Sequence, residues 1–249
     1  MALILNKYKK SIINGVLKNS DNYIYDFSNI ISVGNRAMGN LCYNNTTIKK
    51  IIFDNLTSIG SNGLQYCCYG CKSLITAPTF ANLTSVGNYG LYYCFQNCTS
   101  LTTAPTFANL TSTETNGLQN CFYNCSSLTT APTFANLTSI ENYGLQYCFH
   151  GCKLLTIAPT FANLTSVGNY GLQRCFSGCT SLTTLSFPKL NSTSFGTYIN
   201  QFNNMLSGVT GCTVHFPSNL QSVIGSWSDV TAGFGGTNTT VLFDLTATS

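Results

Sequence analysis

The chain has 249 residues and is 44% hydrophobic, enough for a sizeable core, yet only 7% of its residues are charged, against about 25% in ordinary soluble domains. Solubility must therefore come from Asn, Ser, Thr, Gln and Tyr, as on many secreted proteins, adhesins and virion fibres. Net charge is +4, but seven of the eleven Lys and Arg residues (Lys7, Lys9, Lys10, Lys18, Arg36, Lys49 and Lys50) fall in the first 50 positions, so the rest of the chain lacks the basic stripe that nucleic-acid binding needs.

The chain opens Met1-Ala-Leu-Ile-Leu-Asn-Lys, an apolar run followed by basic residues. A secretory signal has the opposite order and a longer apolar stretch, and no segment approaches the length of a membrane span. The expectation is neither a precursor nor membrane insertion. Residues 1–26 read as an N-terminal cap, in which Asn14-Gly15, flanked by Ile12-Ile13 and Val16-Leu17, is a hairpin signal.

From there the sequence repeats itself. Phe53, Phe80, Phe107, Phe134 and Phe161 are each 27 residues apart, and their neighbours recur with them. One coil reads Phe80-Ala-Asn-Leu-Thr-Ser-Val-Gly-Asn-Tyr-Gly-Leu-Tyr-Tyr-Cys-Phe-Gln-Asn-Cys-Thr-Ser-Leu-Thr-Thr-Ala-Pro-Thr106. Five such coils occupy 53–187, and a degenerate one, a residue short, covers 27–52 and shares Ser32-Val-Gly and Cys42. A fixed period of this length means a solenoid, in which each unit buries its apolar side only against its neighbours.

Within a coil, Leu83 should point inward, and Leu91 with Cys94-Phe95 should pack the inner face of a short helical segment. Leu101 leads into an extended stretch that ends at the column of Pro78, Pro105, Pro132 and Pro159. A strand must stop there or leave an acceptor unpaired; a short parallel strand is therefore expected before each proline. After about Thr184 the pattern decays, and 188–249 reads as a C-terminal cap. In it Thr213–Pro217 forms a closing strand, Ser218 is a helix N-cap, Gly233–Gly236 a turn and Val241–Leu245 a final strand.

The block Cys-Phe-x-[Gly/Asn]-Cys-x-x-Leu-Thr resembles the BspA-type leucine-rich repeat, whose core is Ala-Phe-x-x-Cys-x-x-Leu; here Cys94 takes the Ala column. It is also similar to repeats in surface and phage-encoded proteins of gut bacteria. The resemblance covers 27–187 and implies an α/β leucine-rich-repeat solenoid, with short parallel strands on one face, short helical segments on the other and a cap at each end. It implies no catalytic residue.

Thirteen cysteines include five Cys-x-x-x-Cys pairs, at 67/71, 94/98, 121/125, 148/152 and 175/179. The spacing does not supply the facing Cys-x-x-Cys knuckles of a zinc site, and two buried thiol ladders are favoured over disulfides or a metal. Buried free thiols point to folding in a reducing compartment. His150 reads as an exposed variant of a column otherwise filled by Tyr69, Gln96, Tyr123 and Ser177, and neither it nor His215 has an evident acid–base partner. Glu114 and Glu141 share a column on adjacent coils, and a solvated pair is favoured over a catalytic one. No enzyme, cofactor or metal is expected. The recurring Asn-Leu-Thr triplets are read as structural rather than as glycosylation sites, with Asn turning the chain and Thr bonding to backbone.

Two surfaces remain as binding candidates. One carries Tyr66, Tyr89, Tyr92, Tyr93, Tyr143, Tyr147, Tyr170 and Arg174 in columns that vary while the core columns stay constant. Such tyrosines suit sugars or protein partners, or else they cover the coil edges. The other is a threonine array at Thr102, Thr103, Thr129 and Thr130, suited to ice or a flat polymer. The expected function is a non-enzymatic attachment protein, part of a bacteriophage virion or its tail fibres. It would fold in the host cytoplasm and contact other virion proteins and a host surface glycan or protein. The alternatives are a bacterial cell-surface adhesin and a virion decoration without an external ligand.

Overall fold

The computed structural model describes residues 12–13, 16–17, 24–191, 199–224 and 233–246. They form a parallel β-solenoid of about eight turns with very little helix, consistent with a leucine-rich-repeat solenoid. At its start, strands β1 (Ile12–Ile13) and β2 (Val16–Leu17) pair antiparallel, Ile13 opposite Val16. The intervening Asn14-Gly15 and the basic residues Lys7, Lys9, Lys10 and Lys18 lie outside the described residues.

Two parallel ladders run the length of the coils. In the first, β3 (Ile24–Asp26) pairs with β5 (Lys50–Ile52). The ladder then narrows to single-residue bridges, Lys50 to Thr76, Thr76 to Thr103, Thr103 to Thr130 and Thr130 to Ile157. The strand expected before each proline is thus present but one residue wide, because a proline two positions on has no N–H to extend it. The second ladder was not anticipated. It joins β4 (Ser32–Val33), β6 (Ser58–Ile59) and β7 (Ser85–Val86) in one sheet, and β8 (Ser112–Thr113), β9 (Ser139–Ile140) and β10 (Ser166–Val167) in another.

The segment expected to be helical is a chain of turns. In residues 60–71 the amides of Gly63, Gln65, Cys67, Tyr69 and Cys71 each donate to the carbonyl three residues back. Those between them, from Asn62, Leu64, Tyr66, Cys68 and Gly70, donate to Asn88, Gly90, Tyr92, Cys94 and Gln96 of the next coil. An α-helix would keep every amide within its own coil; this arc instead alternates local and inter-coil bonds, so each turn is stitched to the next. Every fourth residue is left-handed, as at Asn62, Tyr66 and Gly70, with φ of 56°, 55° and 68°, and that conformation stops a right-handed helix from propagating. The glycine that opens the arcs from residue 63 onward is there for space; the first coil has Ala37 in that place. A Cβ on Gly90 would lie 2.7 Å from Val86 Cγ1 and 2.9 Å from the Gly87 carbonyl.

The core is a set of ladders with one rung per coil. Phe27, Phe53, Phe80, Phe107, Phe134, Phe161, Phe187, Phe216 and Phe243 stack at centroid separations of 5.0–6.2 Å. A second ladder, Phe95, Phe122, Phe149 and Phe176, stacks at 5.5 Å. Each fully buried ring contributes roughly 1.5–3 kcal/mol through the apolar area it removes from water. The phenylalanine ladder continues past residue 187, where β11 (Thr184–Ser186), β12 (Thr213–Pro217) and β13 (Thr240–Leu245) also pair parallel, rung on rung. Coil spacing is 26 residues between Phe161 and Phe187 and 29 between Phe187 and Phe216, which hides this continuation from self-alignment. Ser218 is not a helix N-cap: it begins a single 3-10 turn, Ser218–Leu220, preceded by Pro217 and without a side-chain cap bond. Helix α1 (Gln221–Ile224) follows directly. No helix among the described residues is long and apolar enough to cross a membrane.

Candidate functional site

The variable tyrosines all project from the turn arc, and the backbone beneath them is unusual. Tyr66, Tyr89, Tyr93, Tyr143, Tyr147, Tyr170 and Arg174 have φ of 55°, 58°, 55°, 58°, 54°, 56° and 50°. Of the eight residues singled out from sequence, only Tyr92 has a negative φ. The left-handed region costs an ordinary L-residue about 1–2 kcal/mol and is occupied comfortably only by Gly, Asn and Asp. The same columns show what the backbone prefers: Asn62 and Asn116 stand in the column of Tyr89, and Asn40 and Asn120 in that of Tyr93, all at φ between 56° and 59°.

The structure gathers these residues into two groups separated by one coil of asparagines. In the first, Tyr66 stacks on Tyr93 at 5.1 Å, while Tyr92 meets Tyr66, Tyr89 and Tyr93 edge-on at 5.6, 5.2 and 4.2 Å. In the second, Tyr143 stacks on Tyr170 at 5.3 Å and the Arg174 guanidinium lies 5.8 Å from the centre of the Tyr147 ring. Between them, Asn116 and Asn120 are buried, 7% and 5% exposed, and the Asn116 Oδ1 accepts no hydrogen bond. Burial, and then the neighbouring Tyr93, pushes the Tyr66 phenol above its ordinary value; the Tyr92 phenol also moves up, from burial and its bond with Tyr93. Both are neutral hydrogen-bonding groups at physiological pH.

A neighbouring column, which the sequence reading noticed only through His150, completes the wall. Tyr43 stacks on Tyr69 at 4.8 Å and Tyr123 on His150 at 4.5 Å. His150 is therefore half-buried rather than exposed. Burial, followed by the charge of Arg174, lowers its pKa below 6.5, and its Nδ1 is buried without a partner. Tyr43 escaped notice because the first coil is a residue short, so it lies 26 rather than 27 positions from Tyr69. Tyr43, Tyr66, Tyr69 and Tyr93, with Asn40 and Gln96, enclose a depression of about 470 Å³.

The other constellations resolve into structure. Hydroxyls of Thr57, Thr84, Thr138 and Thr165 donate to carbonyls of the preceding coil at 3.0–3.1 Å, and those of Thr102 and Thr129 do so at 3.3 Å. The hydroxyl hydrogens of Thr102 and Thr129 are thus committed inward, while Thr103 and Thr130 stay exposed on the ladder. The Asn-Leu-Thr asparagines are committed too, Asn82, Asn109, Asn136 and Asn163 each donating to the coil before at 2.7–3.0 Å. Glu114 and Glu141 are both exposed. His215 does have a carboxylate partner, with Nδ1 2.9–3.0 Å from both Asp244 oxygens across β12 and β13.

All thirteen cysteines are buried and unpaired. Thiols of Cys71, Cys98, Cys125, Cys152 and Cys179 donate to the preceding coil's carbonyl at 3.0–3.2 Å, forming one ladder. Cys42 and Cys68 occupy the column that phenylalanine holds later, and Cys68 Sγ lies 4.0 Å from Cys67 Sγ. Among the described residues no group of three His, Cys, Asp or Glu side chains is arranged to hold a metal.

A family model described as a BspA type leucine rich repeat region matches in 6 copies, over residues 36–175 and 119–226. Among curated proteins none matches. Two solved structures align along most of the chain. One is a leucine-rich repeat protein from Bacteroides ovatus, 14% identical, covering 92% of this chain and 94% of its own with a TM-score of 0.22. The other is a leucine rich cell surface protein from Faecalibacterium prausnitzii, 14% identical, covering 91% and 90% with a TM-score of 0.23. Superposition at that level carries no argument about this chain.

Proposed function

Because the chain belongs to the BspA-type leucine-rich-repeat family, we propose that it is a non-enzymatic attachment protein whose tyrosine-bearing arc contacts a surface glycan or protein. One observation carries this reading: six tyrosines and two arginines, Arg36 and Arg174, occupy left-handed positions where asparagine sits elsewhere in the same columns. A chain built only to stack would place Asn or Gly at every such position, as the coil with Asn116, Asn120 and Asn124 does. Keeping Tyr there costs conformational energy that edge-covering alone does not require, and backbone outliers of this kind concentrate at binding surfaces. Tyrosine presents a large amphipathic face with little side-chain entropy to lose, which suits recognition.

The placement that accords with a low-charge surface and thirteen buried thiols is a bacteriophage particle or its host-contacting fibres. A virion protein folds in the reducing host cytoplasm and works outside it. Mass spectrometry of purified particles lacking this protein would remove that placement. Its recovery from the envelope of an uninfected bacterium would put the same attachment role on a cell surface.

The functional test is binding of the labelled protein to intact bacterial cells. Replacing Tyr66, Tyr89, Tyr93, Tyr143, Tyr147 and Tyr170 together by Asn should abolish saturable binding while leaving a cooperative melt. Binding that survives those replacements would refute the reading, and no binding by the parent protein to any cell would leave a particle decoration without a ligand.

A further inference from the structure

Over the first three coils two aromatic stacks meet at a corner. Tyr43 and Tyr69 are nearly parallel, 5° apart at 4.8 Å, and Tyr66 and Tyr93 are 18° apart at 5.1 Å. The planes of the two stacks cross at 61–64°. The depression of about 470 Å³ in this corner falls within the range of roughly 300–1,000 Å³ typical of small-molecule sites. Its remaining lining is amide, from Asn40 and Gln96. Gln96 interrupts a column that is otherwise aromatic from Tyr43 to His150, and its Oε1 is buried without a hydrogen-bond donor.

We propose that this corner is a subsite for one pyranose ring of a neutral glycan, an inference that rests on the attachment role and names its ligand class. The chemistry selects the ligand by elimination. None of the six lining side chains carries a charge at neutral pH, so an anionic group would enter without a counter-ion. A purely apolar group, including an aromatic side chain of a partner protein, would cover the exposed Asn40 amide and leave the Gln96 amide unsatisfied. A pyranose has both faces the corner asks for. Its C–H surface lies against the tyrosine rings, and its hydroxyls exchange hydrogen bonds with the Asn40 amide, the neutral phenols and, once its side chain turns outward, the Gln96 amide.

The experiment is saturation-transfer NMR and calorimetry of the full chain with neutral gluco-, galacto-, manno- and N-acetylglucosamine oligosaccharides. Sialyllactose serves as the anionic probe and a tyrosine-rich peptide as the aromatic one. The variants are Tyr66→Asn and Tyr93→Asn, which keep residue types already found in that column at this φ, with Ile157→Thr on the distant ladder as control. Saturable binding of at least one neutral oligosaccharide, weakened about tenfold or more by either tyrosine change and unaltered by the control, is expected. No binding of any neutral oligosaccharide, or binding that ignores both tyrosine changes, or preference for the sialylated or peptide probe, would overturn the subsite. Cell binding measured beside it separates the two ideas. If cells are still bound through the tyrosine arc while the oligosaccharides are not, the subsite falls and the attachment role stands.

Discussion

Tyr89 isolates the effect of backbone conformation on a single side chain. It is exposed, has asparagines above and below it in its column, and makes one edge contact, with Tyr92 at 5.2 Å. At φ of 58° the preference for Asn over Ala is about 1 kcal/mol. Tyr89→Asn should therefore melt above Tyr89→Ala by that margin, and the reverse order in thermal denaturation would show that the left-handed geometry is not held in solution. His150 supplies a pH signal at the same scale. Well above pH 6.5 it is neutral in both folded and unfolded chains. Because burial lowers its folded pKa, the unfolded chain takes the proton first as pH falls, and stability is lost until the folded pKa is passed. Titrating Tm for the parent and His150→Gln should show this extra acid loss in the parent alone, since Gln already stands in the column at position 96.

The turn arc explains why an element can be placed correctly from sequence and still be assigned the wrong form. Leu64, Cys67, Cys68 and Cys71 fall at the i, i+3, i+4 and i+7 spacing that marks one face of a helix. Four-residue turns repeated in series bring the same positions inward, so periodicity cannot tell the two apart. The distinguishing signal was a small or amide residue recurring every fourth position, as in Asn116, Asn120 and Asn124, and it was masked wherever tyrosine takes the place. Tight turns also explain the glycine that recurs at 63, 90, 117, 144 and 171. Gly90→Ala would force its Cβ against Val86 and a fixed carbonyl, and destabilisation of about 1–3 kcal/mol is expected by urea titration. Phe134→Ala, which removes one ring from the long ladder, should cost about 3–5 kcal/mol in the same assay.

Across the whole molecule the thiols report on how coils hold together. Burial raises the Cys179 thiol to about 12 and that of Cys212 to about 11, so thiolate is scarce near neutrality and reagents have no path in. At pH 8 the native protein should show almost no reaction with a disulfide reagent, and all thirteen thiols should appear together on unfolding. Stepwise release would mean that groups of coils open independently, as one-dimensional repeat arrays can do. Repetition alone determined most of what is general here: a solenoid, its inward Phe, Leu and Cys columns, and the prolines that cut its strands short. Those follow from which side chains water excludes, and that is written in composition and period. Only the tertiary structure decided the rest, because it depends on how one coil lies on the next. Inter-coil hydrogen bonds chose turns over helix, carried the ladder beyond residue 187 despite the altered spacing, and brought Tyr43 and Gln96 beside Tyr66 and Tyr93. Contacts between coils arise from register in space, which a single chain read end to end does not contain.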